Sequence, residues 1–88
     1  WAQYWSWRLS GIASSEITSL GCHTDLWDLA GECPSPAAVA HGWAHCFAPR
    51  RHAADVLGRI TASYAAATGI DSRARVHVGL HDSNAALL

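Results

Sequence analysis

Near the carboxyl end of the chain, His81, Asp82, Ser83 and Asn84 form a polar cluster between two apolar stretches. A β-branched run, Val76 to Val78, meets Gly79 before the cluster, and an Ala/Leu run with helical character follows it. The pattern reads as strand, tight turn, helix. It puts the carboxylate of Asp82 at the carboxyl end of a strand and the amino end of a helix, the place where ligands bind in open α/β sheets. A carboxylate there can take a proton from a substrate hydroxyl. It can equally serve only as a helix N-cap, since Asp ahead of Ser-Asn-Ala-Ala is a good helix start.

Other reactive residues lack a supporting pattern. His41 and His45 are four apart on an expected helix, a spacing that can bind zinc, which makes a small metal-binding domain a third reading. Cys46 lies about 100° around that helix from His45 and does not join them. No H-E-x-x-H or C-x-x-C run accompanies the pair, so no resident metal is expected. His77 and His81 are separated by a strand and a turn. Ser, His and Asp are all present, but no G-x-S-x-G elbow marks a nucleophile. Neither a G-x-x-x-x-G-K-[ST] nor a G-x-G-x-x-G phosphate loop occurs.

The elements that must position the cluster follow from periodicity. Trp1, Trp5, Leu9 and Ile12 fall on one helical face with Tyr4 beside them, which predicts a helix ending near Ser10-Gly11. Large aromatics at helical spacing anchor cores, so Trp5 is expected to be buried against a sheet; a binding surface made by Trp5 and Trp7 is the functional alternative. Residues 13–21 read as a loop with about one turn of helix. Cys22 to Leu29 reads as a strand, and Asp28 to Pro36 as turn material. Pro36 opens a helix that runs to about Cys46. Val56-Leu57-Gly58 and Ile60 read as extended. Thr61 caps a helix from Ala62 to Thr68 that Gly69 closes. Asp71 to Arg75 is a turn into the strand at Val76. The sum is a mixed α/β layer of three or four helices and a few strands.

Composition narrows the classes. The chain has 88 residues, 50% of them hydrophobic, and a formal net charge of -1. That suits one small domain, which would bury roughly 60–65% of its unfolded surface. Without a basic excess, nucleic acid is not an expected partner. No apolar run reaches the roughly 20 residues of a membrane span, and residues 1–10 lack a signal-peptide pattern. Cys22, Cys33 and Cys46, an odd number, read as reduced thiols of a cytoplasmic protein. The chain begins at Trp1 and contains no methionine, and both ends fall inside apparent secondary structure. It is therefore expected to be an internal piece of a longer protein.

Five landmarks, in order, resemble the FGGY family of carbohydrate kinases. Tyr4-Trp-Ser-Trp-Arg-Leu-Ser-Gly11 resembles the family helix that ends in a Leu-Thr-Gly-like turn. Glu16-Ile-Thr18 and Thr24-Asp-Leu-Trp-Asp28 resemble its Thr/Ser-rich loop and following strand. Ala48-Pro49 with Asp55-Val-Leu-Gly58 resembles the Leu-Pro and Val-x-Gly landmarks. Ala65-Ala-Ala-Thr-Gly-Ile70 resembles a short helix ending in Thr-Gly-Leu. Val76 to Leu88 resembles the strand and Gly-x-x-Asp-x-x-Ala-Ala block that holds the catalytic aspartate. The His81-Asp82 pair is most similar to members acting on ketoses such as rhamnulose or fuculose, although Leu80 stands where many of those have Gly, and Cys33-Pro-Ser-Pro36 matches no landmark.

The resemblance implies that residues 1–88 are the closing part of the N-terminal, sugar-binding domain, with no second domain present. The implied fold is α/β, a partial ribonuclease H-like (actin-like ATPase) domain, an incomplete sheet with flanking helices. The implied function is ATP-dependent phosphoryl transfer to a hydroxyl of a ketose or polyol, with Asp82 as general base. Ser83 is implied to bind other sugar hydroxyls, with His81 and Asn84 as lesser substrate contacts. ATP and Mg²⁺ would be held mainly by parts of the parent outside this chain, and the isolated piece is expected to be inactive. The competing reading is a non-catalytic binding or structural α/β module in which Asp82 is only a helix N-cap.

Overall fold

A computed structural model describes residues 2–87, apart from the side chains of Ala2 and His23. Trp1 and Leu88, expected in the first helix and the last block, lie outside the described residues. The chain runs α1 (Ala2–Ser10), α2 (Ile17–His23), β1 (Trp27–Asp28), β2 (Cys33–Pro34), α3 (Pro36–Ala40), a 3-10 turn (Ala44–Cys46), β3 (Val56–Arg59), α4 (Ala62–Thr68), β4 (Arg75–His77) and α5 (Asp82–Ala85). It is a small α/β unit with two short antiparallel sheets among the described residues, β1–β2 and β3–β4.

The β3–β4 pair is the platform of the site. Val56 faces His77, Gly58 faces Val76 and Arg59 faces Arg75, with an irregularity between Val56 and Gly58. Three further bonds lengthen the ladder: Ile60 N–H to Ala74 O at 2.9 Å, Val78 N–H to Asp55 O at 3.0 Å and Gly79 N–H to Ala53 O at 2.9 Å. Helix α1 lies across this pair and is tied at both ends. Gln3 Nε2 donates to Gly79 O at 3.0 Å, and Thr61 N–H donates to Leu9 O at 2.8 Å. Between these ties Ile60, Ala65 and Val76 form a buried cluster, with Leu9, Tyr64 and Ala74 packed against it.

Helix α4 and β4 fall where the pattern places them. Thr61 precedes α4, and Gly69 closes it at φ +74° with its N–H on Ala65 O at 2.9 Å. Other elements differ. Trp5 is 57% exposed, and Ser6 is the buried one among the described side chains of α1. The ties at Gln3 and Leu9 put Ser6 under α1, and Trp5 stands at the edge of the contact, lining an open cavity with Leu9, Ile60 and Val76. Tyr4 packs instead on Trp5 and Trp7, with ring centroids 5.3 and 5.9 Å apart. Residues expected to be mostly loop contain α2, and the expected strand from Cys22 shrinks to the two residues of β1. The expected helix from Pro36 to Cys46 stops at Ala40, because Gly42 takes φ +70° and turns the chain. Its start is as expected: Pro36 sits in the first turn and Ser35 Oγ accepts from Ala38 N–H at 3.1 Å.

The unit is flat, 44 × 30 × 16 Å, with a Cα radius of gyration of 14.5 Å. A compact domain of this length would have about 12 Å. Its accessible surface is 5966 Å², against about 5,000 Å² for a monomer of this mass. Tyr4, Trp5, Trp7 and Ile70 are among the exposed large apolar residues.

Candidate functional site

The site is built where β4 leaves the sheet. Val78 is 1% exposed and anchors the exit. Gly79 follows at φ +76°, a left-handed conformation that side chains resist, so glycine suits the bend. Its N–H and C=O are both engaged, by Ala53 and Gln3, which fixes the direction in which residues 80–82 leave. Helix α5 then begins at Asp82.

The N-cap of α5 is His81 and not Asp82, which stands as the first helical residue. The reading of Asp82 as the cap is thereby corrected: the ring of His81 fills that position, with Nδ1 3.3 Å from Ser83 N–H. Asp82 Oδ1 accepts the same N–H at 2.7 Å and lies 3.5 Å from Ser83 Oγ. Its side chain is 93% exposed, while that of His81 is 14% exposed. His81 Nδ1 is 3.1 Å from Asp82 Oδ1. When Nδ1 carries a proton it donates to the carboxylate; when bare, it accepts from Ser83. Asn84 turns toward α2, where Nδ2 donates to Cys22 Sγ at 2.9 Å. The four polar residues are thus together in space, with Asp82 and Ser83 on the open side and His81 and Asn84 tied inward.

The tie runs through Glu16, which the sequence reading placed in a loop landmark without a role at the site. Glu16 is 3% exposed and is the N-cap of α2. Its Oε2 accepts from Thr18 N–H at 3.0 Å, from Ser19 N–H at 3.2 Å and from the Thr18 hydroxyl. Thr18 Oγ1 in turn accepts from His81 N–H at 2.9 Å. Glu is an uncommon N-cap beside Ser, Thr, Asp and Asn, so propensity gave α2 a weak start. The available signal was the acidic residue two ahead of Thr18 at the head of Ile17-Thr-Ser-Leu20.

The other histidine pairs weighed from the sequence are not brought together. His41 ends α3 and stacks on Trp43 at 4.6 Å, while His45 lies in the 3-10 turn with Nε2 3.6 Å from Cys46 Sγ. The two histidines therefore do not share a helix face. His77 Nδ1 is 2.8 Å from Ala54 O, just ahead of β3. Among the described residues no three His, Cys, Asp or Glu side chains are grouped to hold a metal ion. No described helix is long and apolar enough to cross a membrane. Beside Ile17 lies a polar cleft of about 550 Å³ whose walls include Arg50, Arg51 and Asp55. Far from it along the chain, the Arg73 side chain, and secondarily its backbone N–H, hold the Asp71 carboxyl below its ordinary value.

No family model and no curated protein matches the chain. Among solved structures it is similar to the crystal structure of a carbohydrate kinase from Novosphingobium aromaticivorans, with 53% identity and a TM-score of 0.93. The likeness covers 99% of this chain and 19% of that one, so the chain spans about a fifth of the length of the kinase it matches.

Proposed function

We propose that the chain is a segment of an ATP-dependent carbohydrate kinase of the FGGY type, belonging to the sugar-binding side of a ribonuclease H-like fold, with Asp82 as its general base. The observation that carries this reading is the likeness to a carbohydrate kinase along 99% of the chain at 53% identity. The thin, aromatic-bearing layer supports it, because such a layer is what remains when the rest of a larger domain is taken away.

The site's geometry suits the reaction. Phosphoryl transfer calls mainly for an oriented nucleophile and electrostatic support. Asp82 presents an open carboxylate beside a rigid strand end, with one oxygen bonded to Ser83 N–H. In the transfer, the sugar hydroxyl oxygen bonds to the γ-phosphorus of ATP while its proton passes to a carboxylate oxygen of Asp82. The bond from the γ-phosphorus to the bridging oxygen breaks, and ADP leaves with that electron pair. The Ser83 hydroxyl is placed to bind a neighbouring sugar hydroxyl, and His81 sets the orientation of Asp82. Among the described residues no three His, Cys, Asp or Glu side chains are grouped together. Nucleotide and ion are assigned to other parts of the parent. The substrate class is a ketose or polyol, and an ATP-using enzyme with free thiols at Cys22, Cys33 and Cys46 suits the cytoplasm.

The reading of Asp82 as a structural cap alone is weakened by His81, which already holds the cap position. The test is Asp82→Asn in the full-length parent. The amide keeps the size and the bond to Ser83 N–H but cannot take a proton. Turnover should fall by roughly 10²–10⁴, with sugar binding by calorimetry largely kept. Turnover near that of the wild type would remove Asp82 from the chemistry.

A further inference from the structure

We infer that Glu16 and Thr18 are positioning residues for the catalytic turn, acting through the backbone of His81; this rests on the reading of Asp82 as general base. The hydrogen-bond directions are set by chemistry. A backbone N–H can only donate, so His81 N–H must give its proton to Thr18 Oγ1, 2.9 Å away. Glu16 Oε2 already accepts from two backbone N–H groups and so stands as an acceptor, and the hydroxyl proton of Thr18 goes to it. The polarity of the whole chain, His81 N–H to Thr18 to Glu16, therefore has one arrangement.

Burial gives this arrangement its weight. Glu16 is 3% exposed and satisfies two backbone N–H groups of α2 with the same oxygen that takes the hydroxyl. Helix α2 and its cap thus act as a fixed frame, and Thr18 projects from it toward the turn. His81 N–H is the point where that frame meets the turn. One residue on, Asp82 has an open side chain that bonds to its neighbours His81 and Ser83. An exposed carboxylate of that kind gets its position from its backbone. On the other side, Gly79 is tied to Ala53 and Gln3. The turn is therefore held at residue 79 by the sheet and α1, and at residue 81 by Thr18 and Glu16. Removing the Thr18 hold leaves Asp82 between the tie at Gly79 and the Asn84 bond to Cys22, with no backbone bond to α2 at residue 81.

The variants are made in the full-length parent. Thr18→Val keeps size and β-branching and leaves the Glu16 cap bonds to residues 18 and 19 in place, but deletes the hydroxyl. Thr18→Ser restores the hydroxyl. Two readouts are taken: steady-state kinetics, and hydrogen exchange of the His81 amide. In Thr18→Val the His81 amide should exchange at least about tenfold faster, and kcat should fall about tenfold or more. KM for ATP should stay within about twofold. Thr18→Ser should return both readouts toward wild type. Unchanged His81 exchange in Thr18→Val, or unchanged kcat in a parent whose Asp82→Asn variant is inactive, would overturn the positioning role. Faster His81 exchange together with an Asp82→Asn variant that still turns over would instead sink the general-base reading while leaving the structural hold intact.

Discussion

Thr18 and His81, 63 positions apart, meet in a 2.9 Å hydrogen bond that ties helix α2 to the turn ahead of α5. The bond joins the first third of the chain to its last ten residues. It adds to the Gly79 ties and the Asn84–Cys22 bond on either side of Asp82 a hold on the backbone immediately ahead of that open carboxylate.

The isolated 88-residue chain should show no sugar-dependent ATP consumption. Phosphoryl transfer needs sugar and γ-phosphate brought together with water excluded, in a setting that lids or domain closure supply. The chain spans about a fifth of the kinase it resembles. A coupled ADP-release assay with a panel of ketoses and polyols checks this, and the same panel with the full-length parent identifies the sugar. Sugar-dependent ADP release by the isolated chain above the no-enzyme rate would defeat the argument.

Gly69→Ala should destabilise the chain by about 1 kcal/mol. Gly69 holds φ +74° at the end of α4, and a Cβ built there meets nothing within 4 Å. The loss is therefore backbone strain alone, and Gly69→Asn should lose less because Asn tolerates this region better. For a domain of this size the expected drop in melting temperature is roughly 4–8 °C. An Ala variant that melts with the wild type would show that the turn relaxes without cost.

Asp71 should leave a signature at the acid end of the stability profile. Hydrogen bonds from the Arg73 side chain, then its backbone N–H, depress the Asp71 carboxyl in the folded chain, and the same contact raises Arg73. A depressed carboxyl stabilises the fold above its unfolded value of about 3.9, and that contribution is lost as pH falls through the lower folded value. The melting-temperature gap between wild type and Asp71→Asn should hold steady near neutral pH and close below about pH 4. Because the pair is exposed, 2.9 Å apart at the surface, the gap should be small and shrink further in high salt. A gap that persists unchanged to pH 2.5 would separate Asp71 from acid stability.

Local chemistry made much of the C-terminal half legible. The alanine run and Gly69 specify α4 through propensity and the left-handed close; Thr61 holds the cap position as expected, but its side chain makes no cap bond and its N–H is bonded to Leu9 O instead. The Val76 run, Gly79 and the polar cluster specify strand, bend and helix start. The N-terminal half was less readable because its signals compete. Ile17 to His23 forms a helix on a glutamate cap that propensity disfavours, and α3 is cut short by one glycine whose positive φ is invisible in periodicity.

What the sequence by itself determined is the presence of a carboxylate between a strand and a helix, with a histidine before it and a serine after it. That follows from short-range rules: alternation, caps and turn residues act over a few positions. Which of His81 and Asp82 caps the helix, which face of α1 is buried, and what holds the turn were decided only by tertiary structure. His81 takes the cap because its backbone is fixed by Thr18, 63 residues away. Trp5 is exposed because the bonds of Gln3 to Gly79 and of Thr61 to Leu9 set the roll of α1 on the sheet. Such contacts depend on where separate elements meet in space, and periodicity along the chain carries no information about that meeting.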